Sequence, residues 1–251
     1  MSQTAAKVAL ITGAAGGIGQ AAAQQFAQAG YRLALLDQQP GQLAVTVDAL
    51  QETGVEVRGY IADQRDADGL ASAFTAMRRD FGRLDAAFNN AGVSSRHLPL
   101  HELTDDEWGN CLDVNLNGTW RCMREEIRWM LDVGGGCIVN NASVYALNGA
   151  PSPAYTASKH GIAGLTKTAA LQYAARSIRV NAVCPALVNA GMGLKALKHA
   201  ALTKTDLLDK HPAGRAATAD EVARVVLWLC SPEADFIHGH MLALDGGYGA
   251  R

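Results

Sequence analysis

Short apolar segments alternate with longer segments of helical periodicity along the chain. The apolar segments are bounded by turn-forming residues, which is typical of strands covered on both faces in a parallel sheet. Repeated strand–helix pairs of this kind predict βαβ units and an α/β fold. The predicted strands are Val8–Ile11, Leu33–Leu36, Val55–Ile61, Ala86–Asn89, Cys137–Asn140, Arg179–Val183 and Met241–Leu244.

The intervening segments predict helices, and two of these have clear start signals. Thr104 and Thr218 each precede acidic residues and have a glutamate three positions later, which predicts a capping box at each helix start. No second domain is evident in the pattern, so we expect one domain over residues 1–251. The predicted helices are Ile18–Ala29, Leu43–Thr53, Asp66–Phe81, Asp105–Leu131, Pro153–Ala175 and Ala219–Leu229.

Residues 189–212 fit the alternation less well, because they carry leucines and alanines without a preceding strand of their own. Two interpretations stay open at this point. The segment is either a mobile helical flap over a binding site or an ordinary pair of surface helices.

Composition narrows the class of protein. With 49% hydrophobic and 18% charged residues the chain is expected to be compact, and a net charge of -2 gives no cationic field for nucleic acid or anionic lipid. The sequence has neither a secretory signal pattern nor about 18 consecutive apolar residues, so we expect a cytoplasmic protein outside the membrane. The five cysteines form no C-x-x-C pair, which predicts free thiols and no metal site.

A glycine-rich loop follows the first predicted strand and opens the first predicted helix. Its glycines allow a sharp turn and close approach to a pyrophosphate, whose charge is favoured at a helix N-terminus. A tight turn without a ligand is the alternative. The loop is Thr12-Gly13-Ala14-Ala15-Gly16-Gly17-Ile18-Gly19.

Asp37 ends the second predicted strand, where an acidic side chain can accept hydrogen bonds from the adenosine ribose hydroxyls of a dinucleotide. Its charge would repel a 2′-phosphate, and neither Gln38 nor Gln39 supplies the cation that an NADP site needs. The sequence therefore favours NAD as the cofactor. Asp37 as a simple turn residue is the alternative.

Tyr155 and Lys159 are four residues apart in a predicted helix, so their side chains share one face. A free phenol has a pKa of ~10, and a neighbouring ammonium favours the phenolate. The pair could therefore exchange a proton near neutral pH. By itself the spacing is common, and an ordinary exposed pair would give the same pattern.

Taken in order, these motifs resemble the short-chain dehydrogenase/reductase (SDR) family over nearly the whole chain. The matching features are the glycine loop, Asn89-Asn90-Ala91-Gly92, Asn115, Ser143, Tyr155 with Lys159, and Leu244-Asp245-Gly246-Gly247. The resemblance implies a Rossmann fold, with a doubly wound seven-stranded parallel sheet of order 3-2-1-4-5-6-7 and helices on both faces. It also implies hydride transfer between NAD(H) and a secondary alcohol or ketone.

The resemblance further implies a role for each catalytic residue. Tyr155 is the acid–base group, and Ser143 is hydrogen-bonded to the substrate oxygen. Lys159 lowers the pKa of Tyr155 and holds the nicotinamide ribose. Asn115 holds a water molecule through its backbone. The alternative is that Asn115 is only a polar residue that bends a long helix.

The cofactor contacts implied by the resemblance extend beyond the catalytic residues. Two positions depart from the family pattern: Ala186 and Ala190 stand where a glycine and a threonine are usual, which removes one hydrogen bond near the cofactor unless Asn189 replaces it. Asp63 is expected near the adenine, although it also suits a turn. The implied cofactor-binding residues are Gly13, Gly17, Ile18, Gly19, Asp37, Asp63, Asn90, Ala91, Gly92, Tyr155, Lys159 and Val188.

Three rival functions remain open. The spacing of the glycine loop and the short C-terminal part fit a sugar-nucleotide epimerase or dehydratase less well than a compact dehydrogenase. A 3-oxoacyl-[acyl-carrier-protein] reductase would usually use NADP, and Asp37 argues against that cofactor. Its acidic carrier protein could dock on a basic surface formed by Arg121, Arg124 and Arg128. The alternative for these arginines is a helix face exposed to solvent or buried in a subunit interface. A non-catalytic cofactor-binding scaffold would need none of the catalytic residues.

Substrate and assembly are the least constrained features. The expected pocket walls, Ser94–Leu100, Val144–Ser152 and Ala186–Thr205, are mostly apolar, which favours an apolar or cyclic alcohol. The resemblance implies a homotetramer that pairs the helices containing Trp120 and Tyr155 and buries the C-terminal segment.

Overall fold

The computed structural model of the chain describes residues 6–194 and 210–250. Seven strands pair in parallel in the order β3-β2-β1-β4-β5-β6-β7, which confirms the expected sheet. The strands are β1 (Val8–Thr12), β2 (Arg32–Asp37), β3 (Val57–Ile61), β4 (Ala86–Asn89), β5 (Gly136–Asn141), β6 (Ile178–Pro185) and β7 (Met241–Leu244).

Helices cover both faces of this sheet. Side chains alternate along β1, so Val8 and Leu10 join one core while Ala9 and Ile11 join the core on the opposite face. Helices α3, α5 and α6 contribute to the first core, and α1, α2 and α7 contribute to the second. Within residues 6–194 and 210–250, the α-helices are α1 (Gly17–Gln28), α2 (Pro40–Gln51), α3 (Ala67–Phe81), α4 (Asp105–Leu112), α5 (Thr119–Val133), α6 (Pro153–Tyr173) and α7 (Ala219–Leu229).

The helix predicted over Asp105–Leu131 is confirmed as one helical path that runs from α4 into α5, but its middle, Asp113–Gly118, is a π-helical turn. A Cβ on Gly118 would lie 2.5 Å from Gln64 Cγ, so only glycine allows this close approach. Such wide turns often occur at functional sites, and this one contains Asn115.

Other expectations about the chain are confirmed. Both capping boxes form, with Glu107 and Glu221 each accepting from the main chain of its N-cap threonine. The five cysteines are free and buried. Most of the flap predicted at 189–212 lies outside the described residues.

The strand order reverses between β1 and β4, which places a crevice at the carboxyl ends of these strands. Among the described residues, no helix combines the length and apolarity needed to span a bilayer, and no cluster of metal-ligating side chains forms.

Candidate active site

A cleft of about 290 Å³ occupies the crevice at the carboxyl end of the sheet. Of the residues expected to bind or react, Gly19 and Asn115 do not line this cleft. The expected residues that do line it are Gly13, Gly17, Ile18, Asp37, Asp63, Asn90, Ala91, Gly92, Ser143, Tyr155, Lys159 and Val188.

The glycine loop forms one end of the cleft. Gly13 has a φ of 63°, and a Cβ there would lie 2.8 Å from the Cα of Ala91. A Cβ on Gly19 would overlap the Gly13 carbonyl oxygen, so Gly19 lets α1 start directly beneath the loop. Gly16 provides no side-chain cap and the first turn of α1 has no acidic residue. The helix N-terminus therefore keeps N–H groups and a positive dipole end that fit a pyrophosphate.

Asp37 lies at the end of β2 and is 8% exposed. Its carboxylate accepts the main-chain N–H groups of Ala15 and Gln39, each at 3.0 Å, which fixes it beside the glycine loop. A carboxylate has about four acceptor positions, so positions remain for ribose hydroxyls. Among the described residues lining the cleft, Lys159 is the sole cation.

Asp63 lines the cleft and also accepts the Arg65 main-chain N–H at 2.9 Å in a turn. The Arg65 guanidinium also pairs with this carboxylate at 2.6 Å. The hydrogen bonds and charge of Arg65 lower the pKa of Asp63.

Asn90 joins the ends of β1 and β4. Its amide donates to the carbonyls of Thr12 and Gly13 at 3.2 and 3.1 Å, and it accepts from the Asn141 amide at 2.9 Å. In return, Thr12 Oγ1 accepts the main-chain N–H groups of Asn90 and Ala91. Sequence reasoning missed Thr12 and Asn141 as organisers, although the Asn140-Asn141 pair ending β5 repeats the Asn89-Asn90 pair ending β4.

The proposed catalytic side chains meet at the other end of the cleft. Ser143 Oγ accepts the Tyr145 main-chain N–H at 3.2 Å and donates to the Pro185 carbonyl at 3.4 Å, and the same hydroxyl favours the Tyr155 phenolate. Lys159 Nζ donates to the Asn141 carbonyl at 2.7 Å. The Tyr145 ring packs edge-on against Tyr155, with centroids 6.3 Å apart.

The expectation that Lys159 lowers the pKa of Tyr155 below its usual value is wrong for this geometry. Burial raises the pKa of Tyr155 to about 12, and the hydrogen bond from Ser143 offsets this only in part. Burial also lowers the pKa of Lys159 to about 8. Its ammonium lies 5.3 Å from the centroid of the Tyr155 ring, so its attraction does not overcome the loss of hydration around the phenol.

Asn115 acts from behind the cleft, where it is fully buried. Its side chain accepts the Val93 N–H at 2.8 Å and donates to the Val93 carbonyl at 2.9 Å and to Ser158 Oγ at 3.1 Å. Ser158 in turn donates to the Tyr155 carbonyl at 2.7 Å. The π-helical turn is thereby attached to the helix that carries Tyr155 and Lys159.

The two departures from the family pattern lie after β6. The Ala186 N–H donates to the Leu244 carbonyl at 3.1 Å. A Cβ on Gly17 would come within 3.0 Å of the Ala190 Cβ, so Ala190 lies close to the glycine loop. Asn189 is exposed, and its main-chain N–H donates to the Ala217 carbonyl at 2.8 Å.

Comparison with known proteins agrees with this arrangement. A family model described as enoyl-(acyl carrier protein) reductase matches residues 13–249. The chain belongs to the short-chain dehydrogenase/reductase family. A cyclohexanol dehydrogenase from an Acinetobacter species is 36% identical over 243 residues, covering 96% of this chain and 94% of the relative. A 3β-hydroxysteroid dehydrogenase from Mediterraneibacter gnavus is 35% identical over 265 residues, with the same coverage.

Solved structures of SDR proteins extend the likeness to the cofactor. NAD⁺-bound xylitol dehydrogenase superposes with a TM-score of 0.90 at 32% identity, covering 96% of this chain and 98% of that one. An actinorhodin polyketide ketoreductase with NADPH has a TM-score of 0.94 at 32% identity and covers both chains fully at 100%. This SDR protein is thus an oxidoreductase of the dehydrogenase/reductase type with a nicotinamide cofactor. The carrier-protein reductase alternative is not favoured.

Proposed function

We propose that this protein is an NAD-dependent dehydrogenase of secondary alcohols, acting on apolar or cyclic substrates as one domain over residues 1–251. Asp37 is the observation that carries the choice of cofactor. Its anchored carboxylate suits two ribose hydroxyls and repels a 2′-phosphate, and the described cleft offers no arginine to reverse that preference.

In the proposed reaction the chain orients the substrate and accepts one proton from it. When bound, NAD⁺ supplies the hydride acceptor for the carbinol carbon. Tyr155 as the phenolate takes the hydroxyl proton, while Ser143 donates a hydrogen bond to the same oxygen. Lys159 provides the positive charge beside the phenol and, from its place on the cleft wall, suits the nicotinamide ribose.

The proposal also assigns residues to the parts of the cofactor and to the positioning of the catalytic helix. Gly13, Gly17, Ile18 and Gly19 form or support the pyrophosphate end, and Asp63 is assigned to the adenine side. Asn90, Ala91, Gly92 and Val188 line the cleft. We assign the first three to the adenosine ribose and Val188 to the nicotinamide ring. Asn115 is assigned as the positioning residue behind the catalytic helix.

The substrate class rests on the cleft walls near Tyr155. Val93, Ala142, Pro185 and Met192 line the cleft without adding charge, which suits a substrate with an apolar body. The names of the two curated relatives, cyclohexanol dehydrogenase and 3β-hydroxysteroid dehydrogenase, point to ring alcohols.

We also propose a cytoplasmic homotetramer that binds neither nucleic acid nor membrane. Trp120 on α5 and Leu171 on α6 are exposed, and Phe236 is 99% exposed. Large apolar side chains of this kind are consistent with subunit contacts. Sedimentation in solution tests the assembly, and a monomer at micromolar concentration would contradict it.

A cofactor and substrate screen tests the function. Purified protein is mixed with NAD or NADP and a panel of cyclic, linear and polyol secondary alcohols, and reduced cofactor is followed by absorbance. We expect turnover with NAD and ring alcohols, and little with NADP. Turnover confined to NADP would overturn the cofactor assignment, and silence with intact NAD binding would favour a non-catalytic scaffold.

A further inference from the structure

Glu126 is a carboxyl group in the middle of the protein that the proposed chemistry does not use. It lies on α5 and is fully buried. Its Oε2 accepts from Asn89 Nδ2 at 2.9 Å, and the same amide nitrogen donates to Asn140 Oδ1 at 3.0 Å. A buried carboxylate is costly unless a cation or several donors compensate its charge, and one neutral amide is weak compensation.

Two oxygen atoms in this contact find no hydrogen-bond donor among the residues that the structure describes. They are Glu126 Oε1 and Asn89 Oδ1, and both are buried. If Glu126 is ionised, both atoms are acceptors and both stay unsatisfied. A proton on Oε1 converts it into a donor, so that a single O–H group directed at Asn89 Oδ1 satisfies both atoms.

The surroundings of Glu126 favour the protonated form. Burial raises its pKa to about 8, and the hydrogen bond from Asn89 opposes this only in part. In the described part of the chain, its polar neighbours in β4, β5 and α6 are Asn89, Asn140 and, beyond Asn140, the Thr166 hydroxyl.

Charged groups near α5 do not compensate the carboxyl. On α5 itself, burial and Glu126 raise the pKa of the Cys122 thiol, which keeps that group neutral. On α3, Arg78 pairs with Asp132 and lies over Trp129. The other charged groups of α5 interact with partners other than Glu126. Arg124 and Arg128 form ion pairs with Glu125, and Arg121 donates a hydrogen bond to the Gln64 carbonyl.

We propose that Glu126 is a positioning residue that works as a neutral carboxylic acid, donating from Oε1 to Asn89 Oδ1 and accepting from Asn89 Nδ2 at Oε2. Asn89 is the last residue of β4, and Asn90, Ala91 and Gly92, which follow it, line the cofactor cleft. The acid–amide pair therefore fixes where this segment leaves the sheet.

The same network reaches the catalytic helix. Asn140 Nδ2 donates to Thr166 Oγ1 at 2.9 Å, and Thr166 lies on α6 with Tyr155 and Lys159. Glu126 thereby connects the cofactor segment to the helix of the reacting groups. The positioning part of the inference rests on the proposed NAD-dependent function, whereas the protonation state of Glu126 is independent of cofactor and substrate.

A proton retained in the folded protein makes stability depend on pH. The unfolded chain releases this proton near the usual pKa of 4.5, whereas the folded protein keeps it up to about 8. The stabilising contribution is complete below 4.5 and is lost as pH rises to 8. Over this window, the unfolding equilibrium constant attributable to Glu126 rises ~10-fold per pH unit.

The test compares Glu126→Gln with Glu126→Leu. Glutamine can present one N–H donor and its carbonyl acceptor to Asn89 and cannot titrate, so it can form the same pair, whereas leucine removes both interactions. Glu125→Gln is the matched control, because Glu125 is the neighbouring acid on α5 and forms ion pairs with Arg124 and Arg128. Unfolding of the cofactor-free proteins is followed from pH 5 to 9, together with binding of NADH by fluorescence.

We expect the ratio of unfolding constants between wild type and Glu126→Gln to rise ~10-fold per pH unit and to level off near pH 8. Glu125→Gln should keep the wild-type slope. Glu126→Gln should bind NADH as wild type does, and Glu126→Leu should bind it about 10-fold more weakly with a smaller change in kcat. Infrared spectroscopy should show a protonated-carboxyl band at pH 7 that Glu126→Gln lacks.

Parallel pH curves for wild type and Glu126→Gln, or absence of that infrared band, would overturn the neutral-acid assignment. Equal NADH binding by a folded Glu126→Leu would overturn the positioning role. The unfolding and infrared measurements need neither cofactor nor substrate, so their failure is distinct from failure of the proposed function.

Discussion

The Lys159 side chain lies against the face of the Tyr155 ring, with Nζ 5.3 Å from the ring centroid. The hydrogen bond of this ammonium goes to the Asn141 carbonyl at 2.7 Å. Because burial dominates, the pKa of Tyr155 is raised to about 12 rather than lowered. The phenol therefore holds its proton at neutral pH, and this determines how the reaction should respond to pH.

We expect kcat/KM for alcohol oxidation to increase with pH between 6 and 8, because oxidation needs the phenolate and Lys159 keeps its charge below its pKa of about 8. Far below the pKa, the phenolate fraction rises up to ~10-fold per pH unit. Ketone reduction needs the phenol and should not gain from the same change. Ser143→Ala removes the hydrogen bond that lowers the tyrosine pKa, so its residual oxidation profile should shift to higher pH. Oxidation rates that fall over this range would contradict the assignment of Tyr155 as the base.

Tyr155→Phe should reduce hydride transfer by about 1000-fold or more, since the phenol oxygen is the proton carrier. The thermal midpoint and NADH binding should change little. Tyr145→Phe is the matched control, because its ring packs edge-on against Tyr155 at 6.3 Å and it loses the same atom. Pre-steady-state measurement of reduced cofactor checks both variants. Comparable losses in the two variants would mean that the acid–base role is not specific to Tyr155.

Asp37→Asn should reduce the preference for NAD over NADP by about 10-fold or more, since hydrogen bonds to a charged group contribute about 1.5–3 kcal/mol. The variant keeps an oxygen acceptor but loses the charge that repels a 2′-phosphate. Asp63→Asn provides the comparison, because the Asp63 charge is already paired with Arg65 at 2.6 Å. Its cofactor ratio should stay near that of wild type. The measurement is kcat/KM for each cofactor at a fixed alcohol concentration, and an unchanged ratio in Asp37→Asn would remove the basis for choosing NAD.

Gly13→Ala should weaken cofactor binding and lower Tm by about 5 °C or more, because a left-handed residue with a Cβ costs about 1–2 kcal/mol before the contact with Ala91 is counted. That Cβ would lie 2.8 Å from the Ala91 Cα. Gly41→Ala is the control, since Gly41 lies in α2 and a Cβ there has no neighbouring atom within 4 Å. Calorimetry should show Gly41→Ala within about 2 °C of wild type. Equal stability of both variants would show that the loop relaxes around the added methyl group.

Local sequence determined most elements of the fold and most of the expected residues that line the cleft. The apolar run at Val8–Ile11 and the capping boxes at Thr104 and Thr218 depend on side chains close together in the chain, and the structure keeps both. The glycine loop, Asp37 and the Tyr155–Lys159 pair were predictable for the same reason. Each is a short pattern with a local backbone requirement.

Tertiary structure alone decided the energetics and the supporting contacts. The π-helical turn contains Asn115, whose side chain is bound by Val93 and Ser158, both distant in sequence. The raised pKa of Tyr155 and the burial of Glu126 depend on how completely other elements exclude water. Spacing within a helix fixes which groups are neighbours. Loss of hydration and long-range hydrogen bonds fix which of those groups carry charge. Both effects arise only after the sheet and its helices have assembled.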